Sequence, residues 1–119
     1  MNVLPFDDRD GVIWFDGRLV PWRDAKVHVL THGLHYASCV FEGERAYNGR
    51  IFKSMEHSER LIRSGEILGF KVPFSAAEID AAKRQTMEAN QLTDCYVRPV
   101  AGRGSEMMGV SAQQTRINV

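Results

Sequence analysis

THGLHYASCVFEGERAY, Thr31 to Tyr47, is the stretch whose reading decides the fold. Its second half, Val40 to Tyr47, reads as a strand, on which successive side chains point to opposite faces. Phe41, Gly43, Arg45 and Tyr47 then share one side. A ring, a bare glycine and a guanidinium in a row cover a core poorly, but they can line a pocket. Phe41 would give an apolar wall, Gly43 would leave room and Arg45 would attract an anion. The competing reading of the same residues is an edge strand with a solvated arginine.

Working outward, Asn48-Gly49 and then Arg50 to Lys53 predict a hairpin, because Asn-Gly tolerates the positive φ of a type I′ turn. Val12 to Phe15, Asp16-Gly17 and Arg18 to Val20 predict a second hairpin earlier in the chain. Between the two, Ala25 to Leu30 alternates well enough to predict a further strand, and Thr31 to Ser38 predicts a turn or one helical turn. The period then changes. Ser54 is placed to cap a helix from Met55 to Leu68, with Leu61, Gly65 and Leu68 on one face and Gly69 ending it. Ser75-Ala76-Ala77-Glu78 has the form of a capping box, opening a helix to Ala89 with Ile79, Ala82 and Thr86 inside and Asn90 as its stop. Cys95 to Ala101 predicts a strand with Tyr96, Arg98 and Val100 on one side; Pro99, lacking an N–H, places that strand at an edge or a bulge. Gly102 to Gly109 predicts a flexible loop, and Thr115 to Val119 another strand. The fold class expected is α/β of the α+β type: a mostly antiparallel sheet flanked by two main helices, over residues 12–119, behind a loose arm over residues 1–11.

At 119 residues, with 44% hydrophobic and 25% charged composition, the chain suits one globular domain with a core of its own. No apolar run approaches the roughly 20 residues of a membrane span, and Met1 to Asp10 lacks the apolar segment of a signal peptide. Fifteen basic and fifteen acidic residues cancel, so no cationic excess is on hand for a nucleic-acid backbone. Two cysteines, Cys39 and Cys95, make no disulfide framework and predict reduced thiols in a cytoplasmic protein.

His32, His35 and Cys39 have zinc-like spacings, but no fourth ligand lies near and half the stretch reads as strand, so no metal is expected. Gly-x-x-x-x-Gly-Lys, Gly-x-Ser-x-Gly and His-Glu-x-x-His are absent. What remains is an expected convergence of cations from separate elements on one groove: Arg45, Arg60 and Arg98, the last beside Tyr96 on the same strand side. Forked guanidinium donors suit carboxylate and phosphate alike.

The runs Trp14-Phe15-Asp16-Gly17, Asp24 to Val29, Leu34-His35-Tyr36, Val40-Phe41-Glu42-Gly43, Arg45-Ala46-Tyr47, His57-Ser58-Glu59-Arg60-Leu61, Tyr96 to Pro99 and Met108-Gly109-Val110 are, in that order, similar to the N-terminal domain of branched-chain amino-acid aminotransferases. Those are class IV, fold-type IV pyridoxal-phosphate enzymes. The resemblance implies a two-domain enzyme with the cofactor between the domains and this chain as the smaller one. It implies that Arg60 holds the phosphate of pyridoxal 5′-phosphate, that Phe41 and Gly43 line the side-chain pocket, and that Tyr96 and Arg98 handle substrate carboxylates. Arg45 belongs to the same substrate group, and Tyr36 and Val110 are implied to cross to the site of a dimer partner. The implied reaction moves an amino group between leucine, isoleucine or valine and 2-oxoglutarate in a homo-oligomer.

One departure stands out. The implied chemistry needs a lysine to hold the cofactor as a Schiff base, and Lys26, Lys53, Lys71 and Lys83 all lie outside the motif for it. Glu44 stands where the family usually has an aliphatic residue, and Gly102 where a larger one is common. The expectation is a domain of a longer enzyme, inactive alone, whose chain stops inside a strand. The rivals are a stand-alone binding or assembly module and, within the same fold, a D-amino-acid aminotransferase or an aminodeoxychorismate lyase.

Overall fold

Two tight turns set the first strand pairings. β1 (Val12–Phe15) and β2 (Arg18–Pro21) pair antiparallel around Asp16-Gly17, and β4 (Glu44–Tyr47) pairs with β5 (Arg50–Ile51) around Asn48-Gly49. Asn48 and Gly49 take φ of 50° and 79°, the positive pair that a primed hairpin turn requires. The molecule is a computed structural model, described over residues 3–119; the first two residues of the expected arm lie outside that range.

The expected strand from Val40 to Tyr47 is two strands. β3 (Cys39–Phe41) ends at Glu42-Gly43, and β4 begins at Glu44. The expected strand from Cys95 breaks at the matching point: β6 (Cys95–Val97) stops at Arg98-Pro99, and β7 (Val100–Arg103) follows. A single antiparallel ladder thus crosses from one sheet, in the order β3-β7-β8, to another, in the order β5-β4-β6, with β8 being Ile117–Asn118. At the crossing the Glu42 N–H donates to the Pro99 carbonyl at 3.1 Å. Proline cannot donate a ladder bond, which is why the break falls there. The mostly antiparallel, two-helix architecture is as expected, but divided into two three-stranded sheets and a hairpin.

Three other expectations change. Ala25 to Leu30 forms no strand; a short 3₁₀ turn at Trp22–Asp24 leads into irregular chain, because no neighbouring strand supplies a ladder for its alternating pattern. The glycine-rich segment from Gly102 is a loop only after Arg103, since β7 runs through Gly102, opposite Asn118 of β8. Residues 3–11 have no regular structure, yet they are tied down: Arg23 bonds Asp8 at 2.7 Å and Asp10 at 2.8 Å, and the Trp22 indole donates to the Phe6 carbonyl.

α1 (His32–Tyr36) is the single helical turn expected, and α3 (Ala76–Ala89) opens with the expected capping box between Ser75 and Glu78. α2 (Ser54–Ile67) starts one residue early, with Lys53 at φ 58° as its cap; Ser54 is inside the helix and its hydroxyl bonds Asp80 of α3 instead. Leu61 and Gly65 are buried as expected, but Leu68 is exposed, since Gly69 at φ 87° turns the chain and sends Phe70 and Val72 into the core in its place. That core joins Leu61, Phe70, Val72, Ile79 and Ala101, with Val40, Phe74, Ile117 and Val119 against it; α2 packs over the β3-β7-β8 sheet, and α3 packs against α2 and β1. The tip of the first hairpin closes on the chain's end: Asp16 N–H donates to the Val119 carbonyl, and the Asp16 carboxylate accepts from Val119 N–H, both at 2.8 Å.

Candidate functional site

The alternation of side chains continues across the break between β3 and β4. From Phe41 to Tyr47 exposed and buried residues alternate strictly, with Phe41, Gly43, Arg45 and Tyr47 outward and Glu42, Glu44 and Ala46 inward. Tyr96, Arg98 and Val100 are outward on the partner strands. The crossing brings five of the predicted site residues onto one open face. Arg98 lies over the Phe41 ring, 4.4 Å from its centroid, and its Nε donates to the Tyr96 hydroxyl at 2.9 Å. Arg45 stands opposite Tyr96 in the ladder. The room expected at Gly43 is occupied by a neighbour: a Cβ there would be 2.9 Å from the Tyr96 hydroxyl.

Arg60 does not join that face. It comes from α2 to the buried side of the same crossing, where its Nε donates to both Glu42 oxygens at 2.9 Å and its Nη2 to Oε1 at 2.7 Å. His57, one turn earlier, places its Nδ1 2.6 Å from the same Oε1. The bonds from Arg60, against the upward push of burial and with help from His57, hold the Glu42 carboxyl below the ordinary carboxylate range. Arg60 itself is more than half exposed, and among the described residues its Nη1 meets no acceptor. The guanidinium is anchored along one edge and open along the other.

Tyr36 and Val110 form a separate group. Tyr36 stacks on His32 with ring centroids 4.5 Å apart, and its hydroxyl donates to the Met108 carbonyl at 3.4 Å. His32, discounted as a zinc ligand, is buried; its Nδ1 meets Ser38 Oγ at 2.6 Å and its Nε2 meets the Gly109 carbonyl at 3.1 Å. It thereby fixes the loop that presents Val110, which is 80% exposed. No group of three metal-ligating side chains gathers among the described residues.

Sequence reasoning missed the inward carboxylates. Glu42 and Glu44 occupy the strand side opposite Phe41 and Arg45, so the alternation that exposes one set buries the other, and that signal was available. Lys83 of α3 meets Glu44 Oε1 at 2.7 Å, Ser58 Oγ at 2.8 Å and the Ser54 carbonyl at 3.0 Å, while Glu44 Oε2 has no partner among the described residues. Burial pushes the Glu44 carboxyl up, and Lys83 offsets only part of that. Burial also raises the Cys39 and Cys95 thiols, which disfavours their reactive thiolates.

Residues 39–119 match the family model described as amino-transferase class IV. The chain is 48% identical over its full length to a "Probable branched-chain-amino-acid aminotransferase" of Rickettsia felis, covering 41% of that protein. It is 47% identical over 94% of its length to the branched-chain-amino-acid aminotransferase of Pseudomonas aeruginosa, covering 38% of that protein. In three dimensions it superposes on the branched-chain amino acid aminotransferase from Escherichia coli with a TM-score of 0.87 and 39% identity, over 92% of this chain and 39% of that one. The branched-chain aminotransferase of the thermophilic archaeon Thermoproteus uzoniensis, solved with norvaline, gives 0.83 and 38%, over 91% of this chain and 39% of that one. A further branched-chain amino acid aminotransferase, complexed with N-(5′-phosphopyridoxyl)-L-glutamate, gives 0.85 and 35%, over 92% of this chain and 40% of that one. The chain spans about two fifths of the length of the curated relatives it matches. With this fold, and with a family model matched across both sheets and both main helices, the chain belongs to the class IV aminotransferases.

Proposed function

We propose that this chain provides the phosphate-holding arginine and the substrate face of a pyridoxal-phosphate-dependent branched-chain amino-acid aminotransferase. The observation that carries the reading is the crossing at Glu42-Gly43 and Arg98-Pro99. It carries both an arginine with one open edge, bonded to Glu42, and a face of rings and guanidiniums from Phe41, Tyr96 and Arg98. Arg60 would take the phosphate of pyridoxal 5′-phosphate along its open edge. Arg98 and the Tyr96 hydroxyl would take a substrate carboxylate, with Arg45 beside them, while the Phe41 ring and the side-chain-free backbone at Gly43 would wall the aliphatic side chain of leucine, isoleucine or valine. The same wall must accept the second carboxylate of 2-oxoglutarate, and a guanidinium laid over a ring offers both a cation and an apolar surface. Tyr36 and Val110, on a surface of their own, fit a role in the site of a second subunit, which makes the enzyme a homo-oligomer.

When bound, the cofactor supplies the electron sink that lets an amino group leave one carbon skeleton for another. The described residues fit its anionic end and not its covalent anchor. Lys83 is buried and committed to Glu44 and two serines, Lys53 lies 3.5 Å from Glu56, and Lys26 and Lys71 are outside the crossing strands. On this reading the anchoring lysine belongs to sequence outside this chain, and the 119-residue chain alone does not transaminate. The neutral composition with two unpaired cysteines supports a cytoplasmic enzyme. No helix among the described residues is long and apolar enough to cross a membrane.

The complete polypeptide encoded by the gene is expected to transaminate leucine with 2-oxoglutarate. Arg60→Ala is expected to weaken its pyridoxal phosphate affinity by about 2 kcal/mol, the scale of a charge-assisted bidentate contact. Unchanged affinity in that variant, or full turnover by the 119-residue chain with no other polypeptide present, would sink the proposal.

A further inference from the structure

Glu42 is in an unusual place for a carboxylate. It lies against the arginine that is to bind an anion, where its charge repels that anion, yet it is 5% exposed and engages two of the three guanidinium nitrogens. Its backbone is fixed by the bond to the Pro99 carbonyl, and its Oε1 is also met by His57 Nδ1. Arg60, by contrast, projects from an exposed side of α2, where a long side chain would otherwise sample many rotamers. Bonding both Nε and Nη2 fixes the plane of the guanidinium and leaves Nη1 without an acceptor among the described residues.

We infer that Glu42 is the positioning residue that turns Arg60 from a freely rotating cation into a preset fork with its Nη1 edge outward. The inference rests on the reading of Arg60 as the phosphate ligand. Charge repulsion and orientation act in opposite directions on anion affinity, so the net effect has a sign that can be measured. Orientation wins here: an anchored planar fork forfeits little freedom on binding, whereas a loose one must be ordered at that moment.

The test titrates the complete polypeptide with pyridoxal 5′-phosphate and, separately, with pyridoxal, following the absorbance of the bound chromophore. Glu42→Gln is expected to weaken the phosphate-bearing ligand about tenfold, a step of one decade in affinity, and to leave pyridoxal unchanged. A merely structural role would weaken both alike. Adding Glu42→Gln to Arg60→Ala is expected to cost nothing further, because the two act as one unit. If Arg60→Ala leaves the preference for the phosphate intact, the phosphate reading of Arg60 fails. If Arg60→Ala abolishes that preference while Glu42→Gln leaves it equal or stronger, the positioning inference alone is overturned. A second measurement needs no variant. In the unaltered protein the Arg60 Nε–H proton is expected to exchange slowly with water and to stay so in saturating inorganic phosphate. Rapid exchange there would overturn the inference even if Glu42→Gln failed to fold.

Discussion

At Gly43 the absent side chain is occupied by a neighbour, since the Tyr96 hydroxyl stands where a Cβ would need to be and Arg98 holds that hydroxyl in place. Gly43→Ala is expected to push Tyr96 off Arg98. On the proposed roles this raises the KM for 2-oxoglutarate roughly tenfold and shifts the thermal midpoint little, because the face is exposed and only about 1 kcal/mol of side-chain hydrogen bonding is at stake. Equal KM values in the two proteins would remove Tyr96 from the site. The inward residues behave differently. Lys83→Met leaves the Glu44 carboxylate buried without a partner, and a loss of about 3–5 kcal/mol in denaturant unfolding is expected, whereas Lys83→Met with Glu44→Leu is expected to recover most of it. Failure of the double variant to recover would show that the pair is irreplaceable. The Phe41 to Arg45 alternation was legible in the sequence because it needs only the period of a strand. The Glu44–Lys83 pair was not, because the two residues are 39 positions apart and only the tertiary fold brings them together.

At the scale of elements, the helices show how much a local signal can decide. The capping box at Ser75 is written in four consecutive residues and forms as written. Ser54 carries an equally good capping side chain, but α2 begins one residue sooner, so its hydroxyl lies inside the helix and donates to Asp80. Although burial pushes Asp80 up, the Ser54 hydroxyl and Arg84 hold it below the ordinary range. The close approach of α2 to the Phe70–Val72 segment depends on Gly65, where a Cβ would lie 2.8 Å from Phe70 Cε2 and 3.2 Å from Val72 Cγ2. Gly65→Ala gains up to about 1 kcal/mol of helix propensity but is expected to lose about 1–3 kcal/mol to overpacking, a net destabilisation visible as a lower thermal midpoint. A rise in the midpoint would show that α2 can move away without penalty. Asn90, expected only to stop α3, also exchanges two 2.9 Å bonds with the backbone of Val12 and so joins the end of that helix to β1.

Over the whole molecule, Glu42, Asp80 and Glu44 couple their ionisation to folding. Glu42 and Asp80 have folded pKa values below their unfolded ones. Each stabilises the fold in full above the ordinary carboxylate values near about 4, and withdraws that support as the pH falls through its lowered pKa. Glu44 has the opposite sign: raised by burial, it favours the fold below its unfolded value and withdraws that support as the pH rises through its folded one. Thermal midpoints measured across the acid range are therefore expected to fall less steeply toward low pH in Glu42→Gln than in the unaltered chain. An unchanged acid limb would place the titrating group elsewhere. Phe41, Tyr47, Tyr96 and Val100 are 57%, 59%, 52% and 41% exposed on the crossing face. Such a face favours association, so the 119-residue chain by itself is expected to elute above 13.5 kDa in a concentration-dependent way. The sequence by itself determined both hairpins, two of the helix boundaries, the side of each crossing strand that faces outward and the family, because each of these depends on neighbours within a few positions or on motifs in order. Only the tertiary structure decided that the long strands break at Glu42-Gly43 and Arg98-Pro99, that Ala25 to Leu30 is no strand, and that Arg60 meets Glu42 behind the face and not Arg45 or Arg98 upon it. Those outcomes depend on which distant segments pair and pack, and local periodicity carries no record of that.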